Sequence, residues 1–323
     1  MKRTILYAAI TTVLVLTFIL QESVDSRKNT IQVPILPGEV HKIVFESGNE
    51  SLTLSKKDED DSTNWSVGQE AFPADGQKIS DLISATESLG RLDVISTRES
   101  YKKFGLQEDE QRILRFFSGD DKILAVRLGN KASSGNSVYA RIQDQREVVL
   151  LPQDLSKYFS TEAADFRETQ MASFSRERID RMEITGPGHE KLLLSRQDRE
   201  PAGTESSKSE TTEETVWTAE TATGKLLENV EEGRFRDLMI ELADLRASGF
   251  PDKNPQGEPF ANLKIVKNGG EQAVVSLWPP DEAGNFPVQV STNSYSFTIP
   301  KWKARRLLLG LDRYFEDFEE NGK

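Results

Sequence analysis

The sequence contains no cysteine and only two histidines, His41 and His189. Without Cys there is no disulfide framework, thiolate zinc site, iron–sulfur cluster, Cys nucleophile or lipobox. Two histidines exclude histidine-rich metal sites and nearly exclude histidine-based triads. Positive charge is outnumbered: 41 Lys and Arg stand against 53 Asp and Glu, a formal net charge of −12. A chain of that sign repels phosphate backbones, which argues against nucleic acid as a partner. Nucleotide fingerprints are missing too. Gly224-Lys225 is the nearest fragment of a phosphate loop, but Ala219 and Leu226 occupy the positions that Gly and Ser or Thr should hold. No Gly-x-Gly-x-x-Gly, Gly-x-Ser-x-Gly or His-Glu-x-x-His occurs.

Long apolar runs are missing except at the start. Thr4–Leu20 (TILYAAITTVLVLTFIL) is an uncharged run of 17 residues behind Lys2 and Arg3. As a helix it spans about 26 Å, slightly less than a ~30 Å hydrocarbon core. A cleaved secretory signal and an uncleaved anchor both fit a basic start followed by an apolar segment. The run exceeds the ~7–15 apolar residues of a signal peptide and no Ala-x-Ala follows, which favours the anchor. Lys2 and Arg3 hug the run, while Arg27 and Lys28 lie beyond Glu22 and Asp25. The positive-inside rule therefore predicts a cytoplasmic N-terminus, a single pass and a chain lying outside. The absence of cysteine is compatible with an oxidising compartment.

What is present repeats itself. The pattern Val40–Phe45, then Leu52-Thr-Leu-Ser-Lys56, then Asn64-Trp65-Ser-Val67 returns as Ile179–Ile184, Leu192-Leu-Leu-Ser-Arg196 and Val216-Trp217-Thr-Ala219. A helical stripe follows in each copy: Ile79, Leu82, Ile83, Thr86 and Leu89 in the first, Phe235, Leu238, Met239, Leu242 and Leu245 in the second. Two strand pairs come next, 113–128 and 138–152 against 263–277 and 288–300, and a short helix closes each copy, Gln153–Phe159 and Lys301–Phe315. The order predicts a duplication. Residues 198–215 are acidic and almost free of apolar side chains, which predicts a disordered insert.

Candidate chemistry is sparse. Asp58–Asp61 lacks the Gly and distal Glu of a calcium loop and reads as a solvated turn. Trp65 and Trp217 hold equivalent places and read as packing of helix on sheet. The last helix is more informative: Lys301, Lys303, Arg305 and Arg306 crowd its start, with acids at the chain end. That arrangement opposes the helix macrodipole. It marks Lys301, Lys303, Arg305, Arg306 and Tyr314 as a candidate partner surface.

Trp65-Ser-Val, Phe72-Pro73-Ala74-Asp75 opening a helix, and Tyr101-Lys-Lys-Phe104-Gly105-Leu106 before a hairpin and Leu128-Gly129 form a distinctive series. On these motifs the chain resembles a bacterial family known as domain of unknown function 4340, over roughly residues 40–175. Copy two departs from the pattern, lacking Pro-Ala-Asp and carrying Ser248-Gly249-Phe250-Pro251 in place of Phe-Gly-Leu. The resemblance implies a membrane-anchored, extracytoplasmic accessory protein, often encoded beside ABC transporter subunits of the gliding type. It supplies no catalytic residues.

These readings predict an α+β chain: an anchor at 1–21, a linker at 22–38, a first module at 39–160, a connector at 161–177 and a second module at 178–318. Each module is an antiparallel sheet with one main packing helix. The expected function is a non-enzymatic scaffold of an ABC-type transporter or envelope complex in the bacterial inner membrane, with its bulk periplasmic and without cofactor. A polysaccharide- or peptide-binding module with its site in the inter-module cleft, or a carboxylate-pair hydrolase, are the alternatives.

Overall fold

The computed structural model describes residues 30–33, 39–56, 64–107, 112–133, 135–187, 191–198, 215–221, 223–224, 232–267, 270–311 and 314–315. The Thr4–Leu20 run, Asp58–Asp61, His189 and the acidic insert apart from its ends lie outside those residues. Among the described residues no helix is long and apolar enough to cross a membrane. The chain forms two compact units, Met1–Glu168 and Thr169–Lys323, that divide inside the predicted connector. That connector is not a free-standing segment. Phe166 is buried in the core of the first unit, and Met171 and Phe174 in the core of the second.

The first unit runs β1 (Thr30–Gln32), β2 (Lys42–Ser47), β3 (Glu50–Lys56), β4 (Trp65–Val67), β5 (Phe72–Pro73), α1 (Gly76–Glu87) and β6 (Arg91–Ser96). A 3₁₀ turn (Tyr101–Phe104) leads to β7 (Arg112–Ser118), β8 (Asp121–Lys131), β9 (Val138–Ile142) and β10 (Val148–Leu151). Two more 3₁₀ turns follow, Leu155–Tyr158 and Ala163–Phe166. One antiparallel sheet results, in the order β1-β6-β10-β9-β8-β7-β2-β3-β4-β5. The predicted linker thus contains an edge strand: Thr30–Gln32 pairs with Arg91–Asp93. Strand β6 is held between two neighbours.

The second unit runs β11 (Gln170–Ala172), β12 (Ile179–Thr185), β13 (Leu192–Asp198), β14 (Thr215–Thr221), α2 (Glu232–Ala243), β15 (Leu245–Arg246) and β16 (Ala261–Lys267). It ends with β17 (Gln272–Leu277), β18 (Asn285–Val290), β19 (Ser296–Pro300) and α3 (Lys301–Leu307). Its sheet order is β14-β13-β12-β16-β17-β18-β19, with β11 paired to β15 and Gly249 bridging to Thr298.

Replacing each strand by its counterpart converts β4-β3-β2-β7-β8-β9-β10 into the second order. Registers match as well. Lys56 faces Trp65 and Leu54 faces Val67, as Arg196 faces Trp217 and Leu194 faces Ala219. Phe45 faces Leu114 as Ile184 faces Leu263. A one-residue slip would turn each strand's apolar side chains away from the core, so hydrophobic alternation holds the register in both sheets.

Helix α1 begins where the Asp75 side chain accepts from the Lys78 amide at 3.0 Å, a cap worth about 1 kcal/mol. Its buried residues are Ile79, Leu82, Ala85 and Thr86, and the Thr86 hydroxyl donates back to the Leu82 carbonyl. All five predicted stripe residues of the second copy are buried. Trp217 stacks on Phe235 at 4.7 Å, tying α2 to its sheet, while Trp65 is buried in the first core.

The Tyr101–Leu106 motif docks on its own sheet. Phe104 meets Tyr139 edge-on at 4.9 Å, the Arg141 guanidinium sits 4.3 Å over Tyr101, and Leu106 is buried. Gly105 adopts φ +65°, a left-handed turn that favours glycine. A Cβ on Gly129 would lie 2.2 Å from the Phe104 carbonyl oxygen, so the connector reaches the sheet only over a glycine. Pro73 pairs with Ser66 and Ala74 bridges to Arg167, which seats the chain's return beside the entry of α1.

Candidate functional site

The predicted cationic surface divides into two parts. Helix α3 is only Lys301–Leu307, shorter than expected, because Leu309 and Gly310 turn left-handed at φ +54° and +63°. Its inner side carries Ala304 and Leu307 into the core. Lys303 goes with them and is only 9% exposed. Its ammonium bonds the Glu241 carboxylate of α2 at 2.7 Å and donates to the Arg246 carbonyl at 2.9 Å. Tyr314, 3% exposed, belongs to the core cluster. Lys303 and Tyr314 are therefore interior residues, a correction to their assignment as partner surface. The reason is a buried acid on another element. Glu241 occupies the α2 position that corresponds to Ala85 of α1, and it draws the cation inward.

Lys301 is half-buried, Arg305 half-buried and Arg306 exposed. The Arg306 guanidinium reaches the same Glu241 at 3.4 Å, so one acid offsets two of the cations that seemed to oppose the macrodipole. Arg306 also lies 5.0 Å over Trp302, and Arg305 lies 5.4 Å over Phe315. Trp302 itself is 54% exposed, unusual for so large an apolar ring.

A pocket of about 120 Å³ opens where α2 meets α3. Trp302, Arg305 and Arg306 line it from α3, Arg234 and Asp237 from α2, and the Leu309-Gly310 turn closes one end. Arg234 donates to the Gly310 carbonyl at 3.0 Å and to that of Leu309 at 3.4 Å. Three guanidinium groups thus face one carboxylate around an aromatic ring. Sequence spacing singled out Arg305 and Arg306 but not Arg234, Asp237 or Trp302. The Lys-Trp-Lys opening of α3 was the available signal, because a Trp between two cations has no place in a buried stripe.

The family-motif residues Trp65, Pro73, Ala74, Asp75, Tyr101, Phe104, Gly105 and Leu106 all lie in the first unit and build its packing. Among the described residues no group of three or more His, Asp or Glu side chains could hold a metal ion. The carboxylates with clear shifts titrate below their ordinary range. A Lys191 hydrogen bond holds Glu183 down, and hydrogen bonds from Arg246 and Gln170 hold Asp244 down.

A family model described as Domain of unknown function (DUF4340) matches residues 65–263, more than half of the chain. No curated protein and no solved structure matches it.

Proposed function

The chain belongs to the family of domain of unknown function 4340, and from that premise we propose that it is a membrane-anchored, extracytoplasmic scaffold of an ABC-type transporter or envelope complex. In this reading Thr4–Leu20 is the single anchor in a bacterial inner membrane, with Lys2 and Arg3 on the cytoplasmic side. The two units arise by duplication, which the shared strand order and registers support. The observation that carries a partner-binding role is the exposed Trp302 among the arginines of α2 and α3. Aromatic and Arg side chains are the residues in which interface binding energy concentrates.

Reporter fusions after Lys28 test the topology: an enzyme active only outside the cytoplasm works there, and one active only inside does not. Purification of the tagged full chain in mild detergent then brings down transporter membrane subunits. Recovery of the protein alone under those conditions removes the scaffold role.

A further inference from the structure

The chain enters the first unit at one end of its sheet. Strand β1 runs antiparallel to β6, with Thr30 facing Asp93 and Gln32 facing Arg91. Residues before Thr30 therefore come from the end towards which β6 runs, where Ile95 and Ser96 close that strand. The same end carries the turn between β9 and β10, since Val148 faces Ser96. Tyr101 fastens the next segment there by donating to the Arg146 carbonyl of that turn at 3.2 Å. Ten steps of chain separate Leu20, where the apolar run ends, from Thr30. Fully extended, they reach at most about 35 Å. With Thr4–Leu20 as anchor, this end of the sheet is tethered within that distance of a bilayer surface.

Its chemistry suits such a surface. Ile95 is 44% exposed, although its strand lies inside the sheet. Arg98, Lys102 and Lys103 are exposed, and among the described residues their side chains have no ion-pair or hydrogen-bond partner. The acids at this corner are Glu99, engaged by Arg146 at 3.5 Å, the half-buried Glu147, and Asp93, which shares a strand face with Arg91. The exposed Asp120 and Asp121 sit in the β7–β8 turn, three strands from β6. At the usual strand spacing that is about 14 Å, beyond a Debye length of about 8 Å. In a chain of net charge −12, three unengaged cations beside an exposed aliphatic side chain are a local exception. That combination is the one that holds a protein surface on anionic lipid.

We propose that this end of the first unit lies against the anionic headgroups of the membrane that holds the anchor, with Arg98, Lys102 and Lys103 on lipid phosphates and Ile95 at the headgroup boundary. The proposal rests on the anchor reading and adds which surface of the first unit faces the bilayer. Tethering makes weak contacts effective, because a short linker keeps the surface at high local concentration.

The chain has no cysteine, so Thr97→Cys alone carries an environment-sensitive fluorophore. The labelled full chain is reconstituted in phosphatidylcholine vesicles and in vesicles with about a third phosphatidylglycerol. Emission shifts to the blue in the anionic vesicles only and returns at about 0.5 M salt. The shift is about tenfold smaller in R98Q/K102Q/K103Q, and Glu99→Gln, which releases Arg146, enlarges its salt-reversible part. A label at Asn49→Cys, in the β2–β3 turn at the opposite end of the sheet, does not respond. Salt reversal is read without the triple variant, so the test does not depend on that variant folding. Equal emission in both vesicles, or an unchanged shift in the triple variant, overturns the proposal. Reversal by millimolar inorganic phosphate at constant ionic strength marks a small-anion site instead and overturns the lipid. Protection of the Thr97→Cys thiol in native membranes, without a shift in anionic vesicles, marks a protein partner and overturns it as well. Flotation of the full chain with each vesicle separates the two readings. A chain that floats but shows no shift loses the lipid contact and keeps its anchor; one that floats with neither composition loses both.

Discussion

The first unit closes its core with the 3₁₀ turns Leu155–Tyr158 and Ala163–Phe166, whereas the second closes with α3 and the Leu309-Gly310 turn. Both closures lean on the main helix in the same way. Lys78 of α1 donates to the Asp165 carbonyl and lies over Phe166; Arg234 of α2 donates to the Gly310 carbonyl. The difference lies in what the longer closure brings along. Helix α3 adds a buried Lys303–Glu241 pair and a half-open pocket, neither of which a 3₁₀ turn has length to supply. A shared framework thus tolerates a change of chemistry at its rim, because the sheet and main helix already bury the core.

The sharpest way to break that comparison is Glu241→Ala, which restores the alanine of the first unit. It leaves the Lys303 ammonium buried without its acid, at a cost of about 3–5 kcal/mol. Hydrogen exchange across 169–315 rises while 39–168 holds, and a second change, Lys303→Leu, recovers much of the loss. Equal loosening of both units would show that the pair is not local to the second.

A smaller effect separates the two connectors. Gly129 of β8 corresponds to Trp278 after β17, since Leu128 faces Ala140 as Leu277 faces Val288. In the first unit the connector's Phe104 carbonyl presses on that glycine; in the second the Trp278 indole donates to the Gly257 carbonyl at 3.0 Å. Gly129→Ala costs about 1–3 kcal/mol by overpacking, read as a lower denaturation midpoint. A neutral result would mean that the Tyr101–Leu106 segment is not held on the sheet.

The smallest effect is electrostatic. Glu183 of β12, where the first unit has Val44, is held below its ordinary value by a Lys191 hydrogen bond, against the opposing pull of burial. Its lowered native pKa means that the stabilisation is present above the unfolded value of about 4.3 and is lost as pH falls through the lower native value. Wild type therefore exceeds Glu183→Gln by about 1 kcal/mol or less at pH 7, and the gap closes in acid. Urea melts at both pH values check this; a gap that widens in acid contradicts the assignment.

Much of the framework was readable along the chain. Alternation located β2, β3 and the two hairpins of each unit, and the helical stripes located α1 and α2. Strands β1, β11 and β15 were not readable, because short edge pairs such as Gln170–Arg246 carry almost no periodic signal; β6 also escaped, although it lies inside the sheet between β1 and β10. Of the candidate site, Arg305 and Arg306 could be found from local charge. Lys303 was misplaced because its depth depends on Glu241, some sixty residues earlier in the sequence. Trp302, Arg234 and Asp237 share a pocket only through the packing of α2 on α3.

By itself the sequence determined periodicity, the order of elements, the acidic balance and the family motifs, all of which are local or additive along the chain. Tertiary structure alone decided which cations face inward, which connector lies on which glycine, and where an aromatic ring stays exposed. Those outcomes depend on atoms far apart in sequence: a charge is buried only where another element supplies its partner, and a pocket exists only between two surfaces.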